Sequence, residues 1–205
     1  MRLFGGFEVQ AGSGRSFAVP TRKAQALLAY LALTPGQAHP RDKLATLLWA
    51  EASPAAARNA LRQTLFVLRK ALGSAKGALL IVTGDALTLP PDAVQTDVTA
   101  FEQAVAAGTT AALESAAALY RGDLLAGLTA EAPSFEDWLM SERERLRELA
   151  IESFARLLAQ RRGTGATEAA VQLALRLLTL DPLQEPVHRT LMRLYAQLGR
   201  RDAAL

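Results

Sequence analysis

The chain has 205 residues, half of them apolar, with no cysteine and a formal net charge of +3. That size allows one or two domains with real cores, and the lack of cysteine excludes a disulfide framework or a thiolate zinc site and fits a reducing cytosol. The first nine residues hold no apolar stretch suited to a secretory signal, and the longest unbroken apolar run, 26–33, is far short of the roughly 18 residues a membrane span needs. A cytoplasmic protein is therefore expected.

The small net charge hides a division. Residues 1–96 carry 11 Lys and Arg against 5 Asp and Glu, a net +6, and residues 97–205 carry 12 against 15, a net −3. Every lysine lies in the first part. Such asymmetry suits a nucleic-acid module over 1–96 joined to an interaction module over 97–205, and argues against an enzyme spread across both.

In chain order, 2–10 and 16–20 read as short strands joined by Gly12-Ser13-Gly14. Residues 21–33 (TRKAQALLAYLAL) and 40–49 (PRDKLATLLW) are apolar-periodic helices separated by Pro35 and Gly36. A longer helix follows over 54–73, PAAARNALRQTLFVLRKALG. Leu61, Leu65, Leu68 and Leu72 make its buried stripe, while Arg58, Asn59, Arg62, Gln63, Arg69 and Lys70 fall elsewhere, with no acid among them. A face of cations and amides is the toolkit for phosphates and base edges, though it also serves as a plain solvated surface. Residues 79–89 form two β-rich runs around Gly84-Asp85, a hairpin signal. Three helices closed by a hairpin make a winged helix-turn-helix, whose third helix would enter the major groove.

The second part reads as all helix: 98–107, 111–120, 134–161, 167–180 and 185–198. Gly122, Gly163-Thr164-Gly165 and Asp181-Pro182 punctuate it. The third of these helices would run about 40 Å. Its SERERLRE segment (141–148) alternates charges and reads as a solvated face, while Leu139, Leu146, Leu149, Phe154, Leu157 and Leu158 need a neighbour. An internal repeat is visible. Arg156-Leu157-Leu158-Ala159-Gln160 returns as Arg193-Leu194-Tyr195-Ala196-Gln197, and Glu168-Ala169-Ala170 returns as Asp202-Ala203-Ala204. Small residues at the crossings, Leu180-Asp181-Pro182 and Tyr195-x-x-x-Gly199 resemble the tetratricopeptide pattern. Residues 199–205 begin another such helix, so the array is expected to be truncated at its C-terminus.

No catalytic, cofactor or metal site is expected. His39 and His188 lie far apart with no ligand at metal spacing, and no phosphate-cradling, dinucleotide or nucleophile-elbow motif occurs. Trp49 and Trp138 are read as core residues. Phe66 falls off the leucine stripe, and two readings stand: packing under the hairpin against Ile81 or Leu87, or contact with a thymine methyl.

The order LFGGFEV (3–9), TRKAQALLAYLAL (21–33), LLW (47–49), ALRQTLFVLRKALG (60–73) and DVTAFE (97–102) resembles the SARP-type (antibiotic regulatory protein) bacterial transcriptional activators. LYRGDLLAGL (119–128), FEDWLMSERERLRE (135–148) and LTLDPLQEPVHRTLMRLYAQLGRRDAAL (178–205) complete the likeness, which spans essentially the whole chain. It implies an OmpR/PhoB-like winged helix followed by a tetratricopeptide-like bacterial transcriptional activator domain. It also implies binding to double-stranded DNA at promoter repeats, as a homodimer on DNA, and help in recruiting RNA polymerase. The helix with Arg58, Asn59, Arg62 and Gln63 matches the recognition helix. Arg62 and Gln63 suit base edges. Arg58, Thr64 and Arg69 suit phosphates, as do Arg22 and Lys23 at the start of the first helix and Arg41 and Lys43 on the second. The hairpin tip lacks a cation and carries Asp85, so either the wing reaches DNA only through backbone or Thr83, or the protein alone binds DNA weakly. A rival reading is a helical scaffold or regulatory module whose winged helix contacts protein.

Overall fold

In the computed structural model, which describes residues 1–10, 16–72, 80–200 and 202, the apolar periodicities become helices almost where the sequence predicts them. The Gly12-Ser13-Gly14 connection, Gly73 at the end of the third helix and Leu79 at the start of the hairpin lie outside the described residues, as do Arg201 and residues 203–205. The elements run β1 (Val9–Gln10), β2 (Ser16–Phe17), α1 (Arg22–Leu33), β3 (His39–Pro40), α2 (Arg41–Trp49), α3 (Pro54–Leu72), β4 (Ile81–Thr83) and β5 (Ala86–Thr88). They continue with α4 (Asp97–Ala107), α5 (Thr110–Leu119), α6 (Pro133–Gly163), α7 (Thr167–Leu180) and α8 (Glu185–Gln197). The fold is a winged helix-turn-helix followed by a tetratricopeptide-like helical array. No helix among the described residues is long and apolar enough to cross a membrane.

The chain forms two compact units, Met1–Ala100 with Tyr120–Arg143, and Phe101–Leu119 with Glu144–Leu205. In the first, Leu27, Leu28 and Leu31 of α1 are buried with Leu44 and Leu48 of α2 and Leu61, Leu65 and Leu68 of α3. Each such leucine contributes roughly 1.5–3 kcal/mol. Thr21 starts α1 by accepting a hydrogen bond from Ala24 N–H at 3.2 Å. The wing sheet has the order β3-β5-β4, both pairs antiparallel. Strand β3 was not visible in the sequence, because two residues carry no periodicity. Gly36 gives the turn before it, at φ +78°, and a Cβ there would meet Pro91 Cγ at 3.2 Å.

The predicted strand over 2–10 is instead folded back on itself. Gly5 and Gly6 take φ of 75° and 152°, and Arg2 bridges Glu8. This reversal leaves Phe4 to bridge Leu124, with Gly5 N–H donating to the Asp123 carbonyl (3.0 Å) and Leu125 N–H to the Leu3 carbonyl (2.7 Å). The buried Asp97 carboxylate accepts from the Leu3 and Phe4 amides at 2.8 and 3.1 Å. Leu125 is left-handed at φ 52°, and the Leu124 and Leu125 carbonyls accept from the Arg143 guanidinium at 2.8 and 3.0 Å. Trp138 is half-buried and stands edge-on to Tyr30, their centroids 4.9 Å apart.

In the second unit, Phe101, Leu113, Leu146, Phe154, Leu157 and Leu158 are buried, with Ala116, Ala150, Ala170 and Ala174 nearly inaccessible. Small residues of this kind let helices approach closely. α7 packs on α8 across a turn that Asp181 organises, its carboxylate accepting from Leu183 N–H (3.1 Å) and Gln184 Nε2 (2.8 Å). These bonds hold the Asp181 carboxyl below its ordinary pKa. The SERERLRE face is more than a solvated surface. Arg145 pairs with Glu102 at 2.8 Å, and Arg147 donates to the Leu180 carbonyl at 3.1 Å as well as meeting Glu144. Arg161 pairs with Glu114, and Arg176 donates to the Ala117 carbonyl at 2.8 Å while covering the Phe154 ring. Arginines in this half serve largely as ties between helices.

Candidate nucleic-acid interface

The leucine stripe turns one side of α3 into the core and leaves the other side to solvent. Arg58, Asn59, Arg62, Gln63, Phe66, Arg69 and Lys70 are all exposed. At about 100° per residue these seven occupy an arc of roughly 140°, so they form one face. Pro54 opens the helix at a position that needs no N–H partner. No carboxylate occurs anywhere along α3, and Arg69 and Lys70 sit in its last turn, where cations favour the helix dipole.

Several of these groups are already oriented. Arg62 Nη2 donates to Asn59 Oδ1 at 3.0 Å, one turn back along the helix, which aligns a guanidinium and an amide side by side. Arg58 Nε lies 3.2 Å from Asp42 Oδ1 of α2. Both partners are well exposed, and a pair of that kind contributes at most about 1 kcal/mol, so a phosphate can displace it. Gln63 and Arg69 reach solvent.

Thr64 lies differently from the rest of the predicted set. It is 9 % exposed and turns toward the core side of α3. There it lines a recess of about 410 Å³ together with Arg22, Lys23, Trp49, Gln63 and Glu131. Arg22 is exposed at the N-terminus of α1, but Lys23 is engaged: its ammonium donates to the Leu48 carbonyl at 2.8 Å and lies 5.3 Å from the centroid of the half-buried Trp49 ring. Lys43 is exposed on α2. Glu131, at φ 52°, carries no signal in the sequence. Nothing in its surroundings there marks it, because the recess is built from segments distant in the chain.

The wing explains its own acid. Arg41 N–H donates to the Asp85 carbonyl at 2.9 Å, and Arg41 Nε lies 3.9 Å from Asp85 Oδ1. Asp85 thus fixes the hairpin tip to the first turn of α2, a role invisible to periodicity because the partners are 44 positions apart. Gly84 supplies the left-handed turn at φ 59°, and Thr83 is exposed beside it.

Phe66 does not pack under the hairpin. It is 67 % exposed, near the middle of the α3 arc, while Leu87 is fully buried. Its place on the wheel was readable in the sequence, since it lies four positions from both Arg62 and Lys70. Elsewhere, His188 Nε2 contacts the Pro182 carbonyl at 2.8 Å. Among the described residues no group of three or more His, Asp and Glu side chains could hold a metal ion.

Comparison with known proteins bears on this geometry. The family described as the bacterial transcriptional activator domain matches residues 90–205. The family described as transcriptional regulatory protein, C terminal, matches residues 17–85, the stretch holding α1 to α3 and most of the wing. Among solved structures, Mycobacterium tuberculosis EmbR in complex with a low-affinity phosphopeptide is similar, with a TM-score of 0.75 at 23 % identity. The alignment covers 99 % of this chain and 56 % of EmbR, so the chain spans little more than half of that protein. At this identity the likeness concerns the fold. No curated protein matches the sequence significantly.

Proposed function

Because the chain belongs to the bacterial transcriptional activator domain family, with a winged helix preceding that domain as in SARP-type regulators, we propose that it is a cytoplasmic, sequence-specific DNA-binding activator that lays α3 in the major groove. The observation that carries this reading is the exposed face of α3, four cations with Asn59 and Gln63 and no carboxylate. Arg62 suits guanine and Gln63 or Asn59 suits adenine, each good pair being worth about 1–3 kcal/mol of discrimination. Arg58 and Arg69 suit the flanking phosphates, with Arg22, Arg41, Lys43 and Thr83 at the margins. Thr64 and Lys23, turned to the recess, would contribute by holding the α1–α3 scaffold. The helical half would pair protomers on repeated sites and contact RNA polymerase. No catalytic role is assigned, both matched families being regulatory.

The rival role, a winged helix turned to protein contacts, draws on the acid at the wing and on the net acidity of residues 97–205. Arg41, whose Nε lies 3.9 Å from the Asp85 carboxylate, offsets the wing acid only in part, and the carboxylate-free face of α3 carries more weight.

The test is selection from a pool of random duplexes at moderate salt. An enriched, repeated motif is expected. Arg62→Ala should weaken binding to that motif about 5- to 150-fold while changing non-specific binding little. Equal loss on all sequences would remove the base-reading role. Arg22→Ala should weaken all sequences alike and lower the salt slope by about one. No retention even at low salt would overturn DNA binding itself.

A further inference from the structure

Phe66 stands where a DNA-reading helix would place a base contact, yet it can neither donate nor accept a hydrogen bond. Single exposed apolar side chains are common on protein surfaces, so exposure alone says little. Its surroundings say more. It is 67 % exposed, lies near the middle of the α3 arc, and is flanked at four positions either way by Arg62 and Lys70. A cationic rim draws the duplex toward it, and the one apolar group that the major groove offers is the C5-methyl of thymine.

We propose that Phe66 is a specificity-determining residue that reads a thymine methyl, an inference that rests on the reading of α3 as the helix entering the major groove. Four residues of helix advance about 6 Å along the axis. With base pairs about 3.4 Å apart, the thymine should fall within about two base pairs of the base that Arg62 reads. The orientation of Arg62 by Asn59 at 3.0 Å keeps the guanidinium on the N-terminal side of Phe66, so the two contacts do not compete for one base. Cytosine at the same position would present hydrogen at C5 and a donor amino group that Phe66 cannot satisfy.

The experiment uses the whole chain and the sequence enriched from random duplexes. Each thymine in the enriched site is replaced in turn by deoxyuridine, which removes only the methyl. At one thymine, near the base whose substitution mimics Arg62→Ala, affinity should fall about fourfold, the worth of one buried methyl. Phe66→Ala should bind the thymine and deoxyuridine duplexes equally, and Phe66→Leu should retain part of the difference. The deoxyuridine series on the unaltered protein needs no variant to fold. An enriched site in which every deoxyuridine replacement is neutral, or a penalty that survives in Phe66→Ala, would overturn the inference while leaving DNA binding intact. A pool with no enrichment would overturn the recognition-helix reading and this inference with it.

Discussion

His39 shows how a titratable side chain is built into the structure. It is 1 % exposed, on β3, edge-on to Tyr30. The Thr34 hydroxyl donates to the Tyr30 carbonyl at 2.9 Å, so it must accept from His39 Nε2 at 2.8 Å. The proton therefore sits on Nε2, and Nδ1 is buried with no hydrogen-bond partner among the described residues. A second proton would have to enter that dry position. Burial first, and then the Lys43 ammonium, hold the imidazole below its ordinary pKa. The unfolded chain takes up this proton near pH 6.5 while the folded one does so only at lower pH, so the unfolded state binds more protons between the two values. The contribution to stability is whole above about pH 6.5 and is lost as the pH falls through the folded pKa. Denaturant midpoints between pH 7.5 and 5 should fall in the unaltered protein, and less steeply in His39→Gln, which keeps a donor for Thr34. A parallel decline in both would assign the slope to carboxylates instead.

At the scale of elements, α3 and the wing behave differently as objects of prediction. The helix was legible to within a residue because Leu61, Leu65, Leu68 and Leu72 repeat over several turns, and the same repeat determines which residues are left outside. The wing was legible only as a hairpin. Its third strand is the two-residue β3, and its acid is tied to Arg41 by an approach that no local spacing encodes. SERERLRE is a related case: the charges fit helical pairing, as Arg147 with Glu144 bears out, yet Arg145 reaches Glu102 on α4. The wing arrangement makes Asp85→Ala informative. Removing a half-exposed pair should cost under about 1 kcal/mol of stability. It should also release Arg41 and delete a charge that repels phosphate, tightening binding to any duplex and raising the salt slope by about one. Titrations at several salt concentrations would read this directly. Weaker binding would mean that the hairpin's position, more than its charge, governs contact.

At the scale of the whole molecule, the open question is where the winged helix ends as a folding unit. Charge and composition place the boundary near residue 96, and the matched families meet between residues 85 and 90. The compact unit that holds α1 to α3 nevertheless includes Tyr120–Arg143. The sequence could not disclose this, because the connection depends on backbone pairing between residues more than 100 positions apart, Phe4 with Leu124 and Leu3 with Leu125. The Gly5-Gly6 reversal that permits the pairing looks like a weak point in a strand until its partner is known. Asp97, 7 % exposed, accepts the Leu3 and Phe4 amides, and those donors would be orphaned without it. Hydrogen bonds to a buried charged acceptor are worth roughly 1.5–3 kcal/mol each. A fragment of residues 1–96 loses Asp97, and with it Tyr120, Leu124, Leu125, Phe135 and Leu139, all buried in the intact chain. We therefore propose that the folding unit extends past residue 96, and expect the 1–96 fragment to unfold well below a 1–143 fragment in thermal melts. In the full chain, Asp97→Ala should lower stability by about 2–4 kcal/mol, with hydrogen exchange accelerating first at Leu3 and Phe4. If 1–96 melts as high as 1–143, the N-terminal pairing is an ornament on a self-sufficient winged helix and the sequence boundary near 96 is the right one.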